Sequence, residues 1–141
     1  TRARELGAAL GAAGMAAPPL RVMGTVLWAD DTTLAGAPGL QGAIFAAPDV
    51  QARAAFEGRY QAAYGSRPPR IASVAYDAAL IAARAAGRGS DIAAGEAVQG
   101  ADGPVRLLPD GRVLRGLAIY AIEPAGDPRR LEPAATLIPG A

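Results

Sequence analysis

Two adjacent carboxylates, Asp30 and Asp31, follow the single tryptophan of this 141-residue chain, Trp28, by two and three positions. Neighbouring acids offer oxygen ligands to a cation or to the ammonium group of a ligand. With Asp102 added, they make the smallest set in this chain on which a carboxylate-dependent hydrolase could be built. The same pair precedes Thr32 and Thr33, and such a run suits the cap of a short helix, which absorbs at least one of the two acids. Trp28 presents a face that can stack on a ligand, although core packing is the commoner use of a tryptophan at the end of an apolar run. Thr25 places a hydroxyl donor three residues earlier. Thr25, Trp28, Asp30 and Asp31 are therefore the candidate ligand-binding residues.

What the chain lacks narrows its chemistry further. It has no Lys, His, Cys or Asn. Without Cys there is no disulfide, thiolate nucleophile or zinc-thiolate site. Without His no side chain has an ordinary pKa near neutrality, and His-based triads and His-metal sites are excluded. Without Lys there is no Schiff-base lysine and no Walker-type phosphate loop. Ser73 has neither a His nor a Lys to activate it. The expectation is a protein with no catalytic residue, no metal and no cofactor.

Ala, Gly, Arg and Pro fill more than half of the positions, with 18 Gly and 12 Pro among them, the imprint of GC-rich codons. The 14 cations, all Arg, nearly balance 13 acids, and the net charge of +1 is spread along the chain rather than gathered into a stripe. Such a distribution gives no footprint for nucleic acid or an anionic membrane. The longest uncharged stretch, residues 6–20, holds three Gly and two Pro and is too short to cross a bilayer. The chain opens inside what reads as a helix, without an initiator Met, so Thr1 is taken as internal to a longer protein.

The elements that must position these residues follow from periodicity. Residues 3–13 form a helix with Leu6 and Leu10 on one face and Gly14 as its stop. Pro18 and Pro19 introduce residues 20–28, whose Val22, Val26, Leu27 and Trp28 fit a buried strand, and a short helix carrying Leu34 comes next. Residues 42–47, with Ile44 and Phe45, read as a second short buried strand. Phe56, Tyr60 and Tyr64, four apart, line one face of a helix closed by Gly65. Ile71, Val74, Ala78 and Ile81 make the clearest helical face, extended by Ala82 and Ala85 and closed by Gly87. A further short helix is expected over residues 91–98, with Ser90 as its N-cap. Period two then takes over: residues 105–108, the turn Pro109-Asp110-Gly111 and residues 112–122 spell a β-hairpin. From residue 124 the chain is Pro-rich and aperiodic, and reads as tail. The order is α/β or α+β, with too few strands for an obvious self-contained sheet.

The run Phe56-Glu57-Gly58-Arg59-Tyr60-Gln61-Ala62-Ala63-Tyr64-Gly65, then Arg67-Pro68-Pro69 and Ala75-Tyr76-Asp77-Ala78, resembles the C-terminal part of type 1 periplasmic binding proteins of the leucine/isoleucine/valine-binding kind. Met23-Gly24-Thr25 and Leu40-Gln41-Gly42 are similar to that family's strand and its glycine-then-strand segment. Gly103-Pro104-Val105-Arg106 and Pro109-Asp110-Gly111 resemble its closing hairpin. The likeness is collinear over residues 4–124. Within the family, Gly24-Thr25-Val26-Leu27-Trp28, Phe45-Ala46-Ala47-Pro48-Asp49 and the segment around Pro68-Pro69 look closest to the penicillin-binding-protein activator branch.

The resemblance implies an α/β fold, the C-terminal portion of a three-layer αβα two-lobed protein ending in a β-hairpin. Residues 1–47 would belong to the C-terminal lobe, residues 50–98 would be helices returning to the N-terminal lobe, residues 103–123 the closing hairpin and 124–141 the tail. The loop holding Thr25, Trp28, Asp30 and Asp31 would form one wall of the cleft between lobes. Amino-acid-binding members typically place a Glu on this loop, whereas here no acid occurs before Asp30. The first expectation is therefore a non-enzymatic envelope protein that regulates peptidoglycan synthesis in the manner of the activators, through contact with a synthase (penicillin-binding protein). The alternative is an extracellular solute receptor of an ABC importer, with the permease as partner and an amino acid or another small polar molecule as ligand. Either places the parent in the periplasm, the activator as an outer-membrane lipoprotein. A fragment with exposed lobe-facing surface is expected to dimerise or swap elements.

Overall fold

The computed structural model describes residues 2–15, 20–69, 71–86 and 97–135. In chain order these form α1 (Arg2–Ala12), β1 (Met23–Gly24), three 3₁₀ segments (Val26–Asp30, Thr32–Gly36 and Pro38–Leu40), β2 (Ile44–Ala47), α2 (Val50–Tyr64) and α3 (Ile71–Ala86). The remaining strands are β3 (Val98–Gln99), β4 (Pro104–Leu107), β5 (Val113–Arg115), β6 (Ala118–Ala121) and β7 (Arg129–Glu132). The chain divides into two units, residues 1–47 with 118–133 and residues 48–117 with 134–141.

The first unit is built on a four-stranded sheet of order β1-β2-β6-β7, with β1 parallel to β2 and the other pairs antiparallel. β2 alternates as its period-two pattern requires, burying Phe45 and Ala47 while Ile44 and Ala46 stay half-exposed. Phe45 lies opposite Tyr120 in the β2–β6 register, and the two rings stack with centroids 5.5 Å apart. Leu34, Ala37, Leu40, Ala43 and Ile122 complete this core. Glycine lets α1 lie on the 3₁₀ segment Pro38–Leu40: a Cβ on Gly39 would come within 2.1 Å of the Gly7 carbonyl oxygen.

The second unit holds α2, α3 and a three-stranded antiparallel sheet of order β3-β4-β5. Asp49 caps α2, its carboxylate accepting the Gln51 N–H at 2.9 Å, and Gly65 closes that helix in the left-handed conformation at φ +70°. Phe56 is buried beside Tyr76, at a centroid distance of 5.2 Å, and the stripe opens to solvent through Tyr60 to Tyr64. The β4–β5 turn is the expected Pro109-Asp110-Gly111, with Gly111 at φ +82°. Hydrogen bonds from the Arg112 backbone N–H and guanidinium hold the Asp110 carboxyl below the usual carboxylate range. A group lowered in this way supports the folded turn above its unfolded pKa, and that support is lost as pH falls through the lowered value.

Several sequence expectations are corrected. Residues 20–28 do not form one buried strand: only Met23 and Gly24 pair, Met23 and Leu27 are exposed, and the Trp28 N–H turns back to the Thr25 carbonyl at 3.0 Å. That bond starts a 3₁₀ turn, which a strand cannot accommodate. The hairpin's second arm is broken at Gly116, whose N–H bonds to the Pro104 carbonyl at 2.8 Å, and β6 beyond it joins β2 in the other sheet. Arg129–Glu132, within the presumed tail, pairs with β6 as an edge strand. Val98 is in β3 rather than a helix, while Gly87, Ser90 and residues 91–96 lie outside the described residues.

The helical face expected on α3 is also reversed. Ile71 and Val74 are exposed, and the buried residues of α3 are Ser73 and Asp77. Asp77 explains the choice. Its carboxylate accepts the Ala101 N–H at 2.7 Å through one oxygen and Arg115 Nη1 at 2.5 Å through the other. Gly100 makes room, since a Cβ there would meet Asp77 Oδ1 at 2.5 Å. Charge-assisted bonds of this kind outweigh the exposure of two aliphatic side chains. Asp77→Ala should therefore lower unfolding stability by about 3 kcal/mol, whereas Ile71→Ala should stay within about 0.5 kcal/mol of the parent in urea denaturation. Equal losses for the two variants would show that the carboxylate does not hold α3.

Candidate ligand-binding site

The loop after β1 positions all four candidate residues, and it treats each differently. Thr25 is exposed, with extended backbone at φ −100° and ψ 171°, at the head of the 3₁₀ segment Val26–Asp30, and its side chain makes no cap bond there. Trp28 is half-buried and folds back on its own strand. Its indole lies over Gly24 so closely that a Cβ on that glycine would come within 2.2 Å of the ring. The ring also meets the core through Phe45, at a centroid distance of 6.2 Å and an interplanar angle of 60°. Asp30 ends the segment and is exposed.

Asp31 is the capping acid. Its N–H donates to the Trp28 carbonyl at 3.2 Å, and its Oδ1 accepts both the Thr33 N–H at 3.1 Å and the Thr33 hydroxyl at 2.6 Å. This is the N-cap arrangement that Asp-Asp-Thr-Thr suggested, realised on the 3₁₀ segment Thr32–Gly36. Asp31 also lines a small cavity of about 30 Å³ with Thr32, Ile122, Glu123 and Asp127. That volume suits a water or two, not an amino acid. Glu123 is engaged by Arg129, whose Nε donates to Glu123 Oε1 at 2.6 Å.

The fold thus brings Trp28 onto Gly24 and Phe45, and Asp31 beside Glu123 and Asp127, while Thr25 and Asp30 face outward. Glu123 and Asp127 were not anticipated, because one follows a strand and the other sits in a stretch without periodicity. Only the β6–β7 pairing turns them toward Asp31. Among the described residues no group of three acidic, His or Cys side chains is placed to hold a metal ion. Asp102, the third acid of the hydrolase reading, belongs to the second unit, where Arg53 Nη1 donates to it at 3.1 Å. No helix among the described residues is long and apolar enough to cross a membrane.

With this geometry the chain has the fold of part of a type 1 solute-binding protein, the class to which its structural neighbours belong. A leucine-binding protein from Thermotoga maritima matches 91% of the chain at 16% identity and a TM-score of 0.53. An ABC-transporter solute-binding protein from R. palustris, solved in complex with benzoate, matches 97% at 18% identity and a TM-score of 0.50. An extracellular ligand-binding receptor from Desulfohalobium retbaense matches 94% at 22% identity and a TM-score of 0.53. The chain spans only 41%, 42% and 24% of those proteins, respectively. No family model matches the sequence, and no curated protein does.

Because Trp28 is the only tryptophan, its fluorescence reports this loop directly. Gly24→Ala should drive the ring off β1, moving its emission to longer wavelength and making it more accessible to acrylamide. An unchanged spectrum and quenching constant would mean that the indole does not rest on Gly24.

Proposed function

We propose that this chain is the C-terminal part of a non-enzymatic, extracytoplasmic solute receptor of the type 1 binding-protein fold, which delivers a small ligand to an ABC permease. The observation that supports this reading most is the collinear match of nearly the whole chain to three ligand-binding proteins, of which one is named for leucine and another was solved with benzoate. Thr25, Trp28, Asp30 and Asp31 stand on the loop that would face the ligand, and Thr25 and Asp30 are exposed there. Asp31 is engaged by the Thr33 N–H and hydroxyl through Oδ1.

A second reading is the activator-like regulator of peptidoglycan synthesis, which would contact a synthase, reside in the periplasm as an outer-membrane lipoprotein, and close on no small solute. Three observations favour it. The resemblance at Gly24-Thr25-Val26-Leu27-Trp28 points to that branch, and the Trp28 ring is already spent on Gly24 and Phe45. No acid precedes Asp30 on the loop to take a ligand's amino group.

A thermal-shift series on the full-length parent protein separates the two. The receptor reading expects at least one amino acid or small carboxylate, leucine and benzoate included, to raise Tm by several degrees in a saturable way, since ligand at about 100 Kd stabilises by about 2.7 kcal/mol. Flat curves throughout, together with measurable binding to a purified peptidoglycan synthase, would replace the receptor by the regulator.

A further inference from the structure

The chain passes between its two units three times, after Ala47, after Leu117 and after Pro133. Within the second unit, the residues just beyond these crossings gather around one buried carboxylate. Asp49 is 6% exposed, and it is two residues past the first crossing. Its Oδ1 caps α2 through Gln51, and its Oδ2 accepts the Ala134 N–H at 3.1 Å, from a residue 85 positions away that stands at the third crossing. Its own N–H donates to the Asp102 carbonyl at 3.1 Å, and Arg53 Nη1 donates to the Asp102 side chain.

The packing around this carboxylate leaves no slack. Gly103, at φ +123°, is so close that a Cβ would come within 3.2 Å of the Gly116 oxygen and 3.3 Å of Ala134 Cβ. Gly116 lies just before the second crossing, and a Cβ on it would come within 2.3 Å of the Ala135 oxygen. Capping a helix needs a single acceptor, which Ser or Thr supplies as well as Asp. The second oxygen of Asp49, aimed at Ala134, has a separate purpose.

We propose that Asp49 is a yoke, a conformational device that fastens the first crossing segment to the third inside the second unit. Neither segment parts from the other without breaking the Asp49–Ala134 bond, so a displacement of one is passed to the other. The glycines at 103 and 116 keep the second crossing segment packed into the same knot.

Hydrogen exchange measured residue by residue on the whole protein tests this. Asp49→Ser retains an oxygen for the Gln51 N–H but has none for Ala134. It should leave Gln51 and the β4–β5 amides close to parent protection while the Ala134 amide exchanges at least about tenfold faster, the loss of one bond to a charged acceptor. Asp49→Ala should release both Gln51 and Ala134. Unchanged protection at Ala134 in Asp49→Ser would overturn the yoke, and so would a loss spread evenly over α2, β4 and β5, because Asp49 would then be a general stabiliser. If Asp49→Ala does not fold, the serine variant decides alone.

Discussion

The antiparallel pairing of β2 with β6 is the constraint on which the first unit rests. It joins Ile44–Ala47 to Ala118–Ala121 across the intervening residues 48–117, and closing a loop of that length has an entropic cost that local structure cannot offset. Stacking of Phe45 on Tyr120 and burial of Ala47 and Ala118 supply the compensation. Every other part of the unit depends on this pair. Among the described residues β1 pairs with β2 alone and β7 with β6 alone, and Trp28 leans on Phe45. The loop that carries the candidate binding residues is thus held in place by a contact made far away in sequence.

A different force organises the second unit. Its sheet is short, and the mostly small side chains of α2 and α3 offer little apolar area to bury. Two buried aspartates do much of the joining: Asp77 ties α3 to the β3–β4 turn and to β5, and Asp49 ties α2 to Asp102 and Ala134. Both accept backbone N–H groups, Asp77 takes the Arg115 guanidinium as well, and both sit against glycines whose missing Cβ admits the carboxylate or the neighbouring chain. In an alphabet dominated by Ala and Gly, hydrogen-bonded carboxylates take over specificity that larger apolar residues provide elsewhere.

Local signals in the sequence were legible where local chemistry decides. Gly65 closes α2 because only glycine adopts its left-handed conformation cheaply; Pro109-Asp110-Gly111 turns the hairpin for the same kind of reason; and Asp31 caps the segment it precedes. The solute-binding fold was legible too, through motifs in collinear order. The candidate site was legible only in part. The four residues do share one loop, but that Trp28 would lie on Gly24, and that Glu123 and Asp127 would come up beside Asp31, had no local sign. The apolar stripe Ile71/Val74 misled because periodicity measures hydrophobicity alone, and a carboxylate with two strong partners outweighed it.

By itself the sequence determined the chemical repertoire, the helix stops, the turns and the family likeness, because each depends on residue type or on neighbours a few positions apart. The absence of Lys, His and Cys belongs here, and it holds whatever the fold. Only the tertiary structure decided where 3₁₀ turns replaced a strand, how one hairpin arm was divided between two sheets, and which aspartates were buried. Those outcomes depend on partners such as Tyr120, Arg115 and Ala134, dozens of residues away along the chain, and a carboxylate or a strand end has no preferred fate until such a partner arrives.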